Sequence, residues 1–367
     1  MEYDLKIARN TAEVVDRLIT VQIAESGGGA ALTDAPINPL LYKAAREAQG
    51  NEPLTYRAAK AILENVSSGG AVVLSCGLMI TPYMREEVDG CFGVAGMARA
   101  VALGARATPI VLTEKTNIER MRMLIKAVGL DPQPLEIALT APNMCALEIL
   151  PLDPREVIAT CNMIYETAKP GVLLVSEKMG PTDIGVYRSG PGYDLTLISG
   201  KTKEMIETFQ KHGTVTIGVG DGGNEVGMGK IKDTVRQLFS GDSASALETD
   251  ILVVGASGNL GCYGIEAVLA AAWSMPEALH NNDVERRMEL ASIFSGLIDP
   301  TTGYTDGITD AMDPSVAQSC LTLLHNIVGH RLAKKDETKA RNKKERGFSR
   351  EKIQSTIDLW AKTITSS

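Results

Sequence analysis

The sequence predicts an α/β protein with a mostly parallel sheet covered by helices on both faces. Three observations carry that expectation. Short apolar runs of strand type alternate with helical segments from residue 71 onward. The runs are apolar throughout, the pattern of strands buried on both faces by crossover helices. Many of the 35 glycines cluster in short loops directly after those runs, which suggests backbone-lined sites as well as turns.

The strand candidates are Ala71–Ser75, Thr108–Leu112, Leu135–Leu139, Val172–Val175, Thr214–Val219 and Asp250–Val254. Helical patterns lie near 91–104, 117–128, 154–168, 202–212, 226–239 and 260–273. Further helices are expected at both ends of the chain. At the N-terminal end, residues 9–24 carry Val14, Leu18, Ile19 and Val21 on roughly one face. A Gly-rich break follows at Ser26–Gly29, and Pro53 opens a second helix over 53–66. At the C-terminal end, helices are expected near 283–297, 313–332 and 350–364, with a Thr-, Gly- and Asp-rich loop at Asp299–Asp310. The divisions expected are an N-terminal helical segment at 1–52, an α/β domain at 53–332 and a basic helical tail at 333–367. The basic stretch Arg331–Lys352 reads as a solvated helix face or linker.

Bulk properties exclude several functions. A formal net charge of -8 argues against a general nucleic-acid partner. No run of about 18 apolar residues marks a membrane span. The polar N-terminus MEYDLKIARN lacks the pattern of a signal peptide, so the expected location is cytoplasmic. The cysteines Cys76, Cys91, Cys145, Cys161, Cys262 and Cys320 form no CxxC pair and read as reduced, mostly buried thiols. A homo-oligomer is compatible with these properties.

Ligands in open α/β sheets bind beyond the carboxyl ends of the strands. The residues there are mostly acidic or amide. After Ala71–Ser75 comes CGLMITPYMREEVDG, with Glu86, Glu87 and Asp89. After Val172–Val175 comes SEKMGP, with Glu177 and Lys178. After Thr214–Val219 the loop Gly218–Gly229, GVGDGGNEVGMG, carries Asp221, Asn224 and Glu225. After Asp250–Val254 come Ser257 and Asn259. Several carboxylates gathered together stay ionised only beside a positive charge; otherwise one takes up a proton. A divalent cation is the usual solution, and oxygen-only ligands favour Mg²⁺ or Mn²⁺ over zinc. Taken singly, each acid could instead be a helix N-cap or first-turn residue.

Other chemistries fit less well. Gly218–Gly223 matches GxGxxG between a strand and a helix, but Asp221 and Glu225 would lie beside the pyrophosphate of a dinucleotide. Ser257–Gly261 resembles a pyridoxal-phosphate loop, yet the glycine-rich loop precedes it and no lysine stands in a suitable motif. The four histidines (His212, His280, His325 and His330) fall in or beside helical patterns, away from the strand ends, and there is no GxSxG.

The segment GVGDGGNEVGMGKIKD closely resembles the signature of the D-glutamate cyclase family, in its C-terminal domain. Looser similarities agree in order: EEVDGCFGVAGMARAVALGA at 86–105, SEKMG at 176–180, VVGASGNLGCYGIEAVLA at 253–270 and SGLIDPTTGYTDGITD at 295–310. The resemblance covers roughly 55–330. One departure is Lys178-Met179, where the family motif more often reads Arg-Pro; lysine keeps the charge but lacks arginine's planar fork.

What the resemblance implies is a lyase converting D-glutamate to 5-oxo-D-proline and water, acting on a small acidic metabolite; the divalent metal expected from the gathered carboxylates, Mn or Mg, could polarise the substrate carboxylate. Glu87, Asp89, Asp221, Glu225 and Asp299 are the expected metal ligands. Asp221, Glu225, Glu177 and Lys178 are the expected catalytic groups, with Lys178 pairing a substrate carboxylate. Asn224, Gly222, Gly223, Ser257 and Asn259 are expected to bind substrate. The same carboxylates would also suit a divalent-metal-dependent phosphohydrolase, or a non-catalytic protein binding a metal or small acidic metabolite.

Overall fold

A computed structural model describes residues 2–23, 32, 35–239, 242–341 and 354–358. Three helices come first: α1 (Leu5–Ile19), α2 (Ile37–Ala48) and α3 (Leu54–Asn65). The first begins earlier than its apolar face suggests, because the Asp4 side chain accepts the Ile7 amide at 3.0 Å and caps it. The second has no counterpart in the sequence reading. The expected Gly-rich break at 26–29 lies outside the described residues.

Strand β1 (Ala71–Ser75) follows, then a small antiparallel ribbon of β2 (Met79–Ile80) and β3 (Arg85–Glu86). Next come α4 (Asp89–Ala100), which ends in a π-helical turn at Val101–Ala105, β4 (Thr108–Thr113) and α5 (Ile118–Ala127). Then β5 (Asp131–Gln133), α6 (Leu135–Ala138) and β6 (Met144–Ile149) lead to α7 (Pro154–Ala168). The expected strand at Leu135–Leu139 is therefore a helical turn. Pro134 holds the extended backbone that opens it, with Glu136 in its first turn. The strand lies nine residues on, in MCALEI. A five-residue apolar run fits either structure by periodicity alone.

The chain continues with β7 (Val172–Ser176), α8 (Thr202–Lys211), β8 (Val215–Gly220), a 3₁₀ turn at Met228–Ile231, α9 (Lys232–Leu238) and β9 (Ile251–Val254). It closes with α10 (Gly258–Trp273), α11 (Asn282–Ser295) and α12 (Pro314–Arg341). Of the segment expected to be helical at 350–364, residues 354–358 are described and are helical. The chain divides into two compact units, Met1–Val328 and Gly329–Ser367.

Seven strands form one parallel sheet in the order β5-β6-β4-β1-β7-β8-β9. Helices cover both faces, as an all-parallel sheet requires. One face packs Val73, Ile110, Leu112, Leu173 and Val175 against residues of α7 and α8 such as Val157, Ile164, Met205 and Phe209. The other lies against α3, α4 and α10. Helix α10 is buried over nearly its whole length, which explains its uniformly apolar and small sequence. All six cysteines are buried and unpaired in disulfides.

Strand order reverses beside β1. The chain leaves β1 toward β4 on one side, and after β6 returns to β7 on the other. Neighbouring connections diverge here and leave a crevice at the carboxyl ends of β1 and β7.

Candidate active site

The crevice opens into a cleft with about 130 Å³ free to the centres of water-sized molecules. That is on the order of ten waters, or one small metabolite. Glu87, Glu177, Asp221, Glu225 and Asp310 line it beside Leu78, Ile80, Pro191 and Met312. Among the described residues no Lys, Arg or His lines it.

Each carboxylate is placed by local structure. Glu177 is the first residue past β7 and adopts a left-handed backbone, φ 46°, which turns its side chain off the strand line. Two glycines make room for it. A Cβ on Gly90 would fall 2.7 Å from the Glu177 Cβ, and one on Gly258 would fall 2.5 Å from Glu177 Oε1. Asp221 follows β8 directly. Its carbonyl accepts from the Asn38 side chain at 3.3 Å, and the same amide reaches the Gly255 carbonyl at 3.2 Å, so α2 braces two strand ends. Glu225 folds back over its own loop and accepts from the amides of Gly222 at 3.0 Å and Gly223 at 2.7 Å. That turn needs Gly223 at φ 94°. Asp89 opens α4 and accepts from the first amides of α10, Gly258 at 2.7 Å and Asn259 at 2.6 Å.

Asp310 is the residue that sequence reasoning missed. It stood at the end of the SGLIDPTTGYTDGITD similarity, but Asp299 drew the attention. In the structure Asp299 works on its own loop: it accepts from the amides of Thr301 (3.1 Å), Thr302 (2.7 Å) and Ala311 (3.1 Å). The turn it organises sets Asp310 and Ala311 both left-handed, φ 50° and 58°, and delivers Asp310 to the cleft. Only the density of Asp and Gly in that loop signalled it.

Oxygens of Asp89, Asp221 and Asp310 lie within 4.8 Å of one another, as do oxygens of Glu177, Asp221 and Glu225. Among the described residues none of these acids, nor Glu87, makes an ion pair with a basic side chain. Burial and then mutual repulsion raise Glu87, Glu177 and Asp310 well above the ordinary carboxylate range. Burial, with Glu225 next, does the same to Asp221. Burial also raises Glu225, against its two loop amides. Burial raises Asp89 to about 6, with the two α10 amides offsetting part of it.

The other expected site residues lie elsewhere. Lys178 is buried with its ammonium on Glu114, 2.5 and 2.6 Å from the two oxygens, and on the Gly77 carbonyl at 3.1 Å; it does not line the cleft. The left-handed backbone at Glu177 turns that residue into the cleft, while Lys178 faces the opposite way onto Glu114. Ser257 and Asn259 hydrogen-bond each other behind the cleft wall and are fully buried. The amides of Gly222 and Gly223 are taken by Glu225. Asn224 does reach the cleft and donates to the Arg188 carbonyl at 3.1 Å. Glu86 turns away to Arg120, at 2.9 Å.

A family model described as "D-glutamate cyclase-like, C-terminal" matches residues 41–325, from α2 into α12. The chain belongs to this family. The matched span contains every carboxylate of the cleft. The human protein named "D-glutamate cyclase, mitochondrial" is 42% identical over 64 residues, 17% of this chain and 10% of that protein. The alignment thus spans about a tenth of that relative's length. Among the described residues no helix of this D-glutamate cyclase-like chain is long and apolar enough to cross a membrane.

Proposed function

We propose that this cleft is the active site of a lyase that closes D-glutamate to 5-oxo-D-proline and water, with Mn²⁺ or Mg²⁺ bound. The observation carrying this reading is the convergence of uncompensated carboxylates on a small cleft, within the span matching the D-glutamate cyclase-like family. The donor set is all oxygen, which suits either ion. Glu177 Oε1 and Asp310 Oδ2 are buried without a hydrogen-bond partner, as expected of atoms reserved for a cation. Asp89, Glu177, Asp221, Glu225 and Asp310 would hold it. A bound divalent ion would supply Lewis-acid polarisation of the substrate γ-carboxylate.

The remaining chemistry falls to this chain's own residues. The substrate ammonium must lose a proton before its nitrogen can attack the γ-carbon. Two of its three hydrogens leave with one γ-carboxylate oxygen as water, and the third stays on the lactam nitrogen. Glu87 lines the cleft but belongs to neither carboxylate set, which suits it to take the ammonium proton and return it to the departing oxygen. Apolar walls at Leu78, Ile80 and Met312 keep competing water from the ring-closing step.

The test is lactam formation from D-glutamate by the Mn²⁺-loaded full chain, followed by proton NMR. Glu87→Gln is expected to bind Mn²⁺ as wild type does and to lose at least about 100-fold in kcat. Release of phosphate from phosphomonoesters with no lactam would assign the site to a phosphohydrolase instead. Tight ligand binding with neither product would make it a binding protein.

A further inference from the structure

We propose that the cleft holds two divalent cations bridged by Asp221, an inference that rests on the metal-dependent reading above. The carboxylates form two sets that share one member: Asp89, Asp221 and Asp310 on one side, Glu177, Asp221 and Glu225 on the other. Within each set the ligand oxygens lie within 4.8 Å of one another, the span of a single coordination sphere. Asp221 has two oxygens and stands between the sets, so one oxygen can serve each ion. Carboxylate-bridged ions of this kind lie about 3.5–4 Å apart.

Each set also contains an unsatisfied atom. Glu177 is 4% exposed and lines the cleft, yet its Oε1 has no hydrogen-bond partner. Asp310 is partly exposed, but its Oδ2 is buried and makes no hydrogen bond. A carboxylate oxygen left so costs about 1–3 kcal/mol or more unless a ligand claims it. One ion seated in either set leaves the other set's orphan unclaimed. Both orphans are held in place by left-handed backbone, at Glu177 and at Asp310.

The other ligands are aimed but not used up. Asp89 and Glu225 each accept two backbone amides, one per oxygen. An ionised oxygen keeps a further lone pair after accepting one hydrogen bond, so these amides orient the carboxylates and leave them free to coordinate. Charge gives the same count. Ionised, the five carboxylates of the two sets carry five negative charges. Of these five charges one divalent ion leaves three uncompensated and two ions leave one, in a cleft that no basic residue lines among the described residues.

The experiment titrates chelator-stripped full-length protein with Mn²⁺ alone. Bound metal is counted by elemental analysis after gel filtration, and the EPR spectrum is recorded at saturation. The expected result is two Mn²⁺ per chain, with an exchange-coupled spectrum. Glu177→Gln and Asp310→Asn should each fall to one Mn²⁺ and give the six-line spectrum of an isolated ion. Asp221→Asn should weaken both sites by about 10–100-fold. One Mn²⁺ per wild-type chain with an uncoupled spectrum overturns the two-ion centre and leaves the single-ion reading standing. No Mn²⁺ bound by folded wild-type protein overturns both. The wild-type count and spectrum decide the matter even where a variant fails to fold.

Discussion

Lys178 and Glu177 are adjacent in sequence and opposite in role. The lysine ammonium is held by Glu114 behind the cleft, with side-chain exposures of 2% and 11%. Breaking such a buried pair costs about 3–5 kcal/mol because the remaining charge has no partner. Lys178→Met is therefore expected to lower stability by that amount in urea unfolding and, under the proposed reading, to change KM for D-glutamate little in the protein that remains folded. A stability within about 1 kcal/mol of wild type, together with a large rise in KM, would return Lys178 to the substrate. Glu177 and Asp221 were legible in the sequence because each directly follows an apolar strand, and Glu225 because it closes the glycine-rich loop after one. Lys178 was misplaced because a side chain's direction past a strand end depends on backbone angles, and the left-handed turn at Glu177 leaves no mark in residue type. Asp310 was hidden for a related reason: it follows no strand, and a loop organised by Asp299 delivers it.

Elements carry the glycine code of the site. Gly258 begins α10, and its missing side chain is space that Glu177 occupies. Gly258→Ala is expected to push the Glu177 carboxylate aside and weaken Mn²⁺ binding by about 10–100-fold, the range for disturbing an oriented ligand. Helix α10 should remain intact, since alanine favours helix. Unchanged Mn²⁺ affinity measured by calorimetry would show that Glu177 is not a ligand. Strands β1, β4, β7, β8 and β9 were all readable as apolar runs of strand length. Strands β5 and β6 were not: β5 is the polar tripeptide DPQ, and β6 begins after Asn143 at φ 61°, beside the equally short apolar run that forms α6. Helix α2 went unread too, although its Asn38 braces the loop of Asp221.

At the scale of the whole molecule, a second buried charge cluster supports the site from behind. His280 lies between two carboxylates, with Nδ1 2.7 Å from Glu266 and Nε2 3.1 Å from Glu285, while Tyr263 donates to Glu285 at 2.9 Å. All of these residues are buried, and they tie α10 to α11. Burial pulls the imidazole pKa down, but the two carboxylates outweigh it and raise it to about 10. Unfolded histidine titrates near 6.5. The stabilisation is therefore complete below about pH 6.5 and declines as pH rises, until it is gone above about 10. Wild type should melt well above His280→Gln near pH 6, with the gap closing steadily toward pH 10. A gap that stays constant across that range, measured by calorimetry, would mean His280 is neutral in the fold.

The amino end of a long helix is a natural seat for an anion, and in many sheet folds it is held out to the ligand. In this chain Asp89, from a different helix, already takes the first two amides of α10. The scaffold has turned this anion seat inward and lined the remaining cleft with acids. Under the proposed reading, a substrate bearing two carboxylates then meets no positive charge among the described lining residues until cations have entered. On that reading the order of arrival is cation first and amino acid second, because the ion-free cleft offers the substrate carboxylates no countercharge even though it is open in shape.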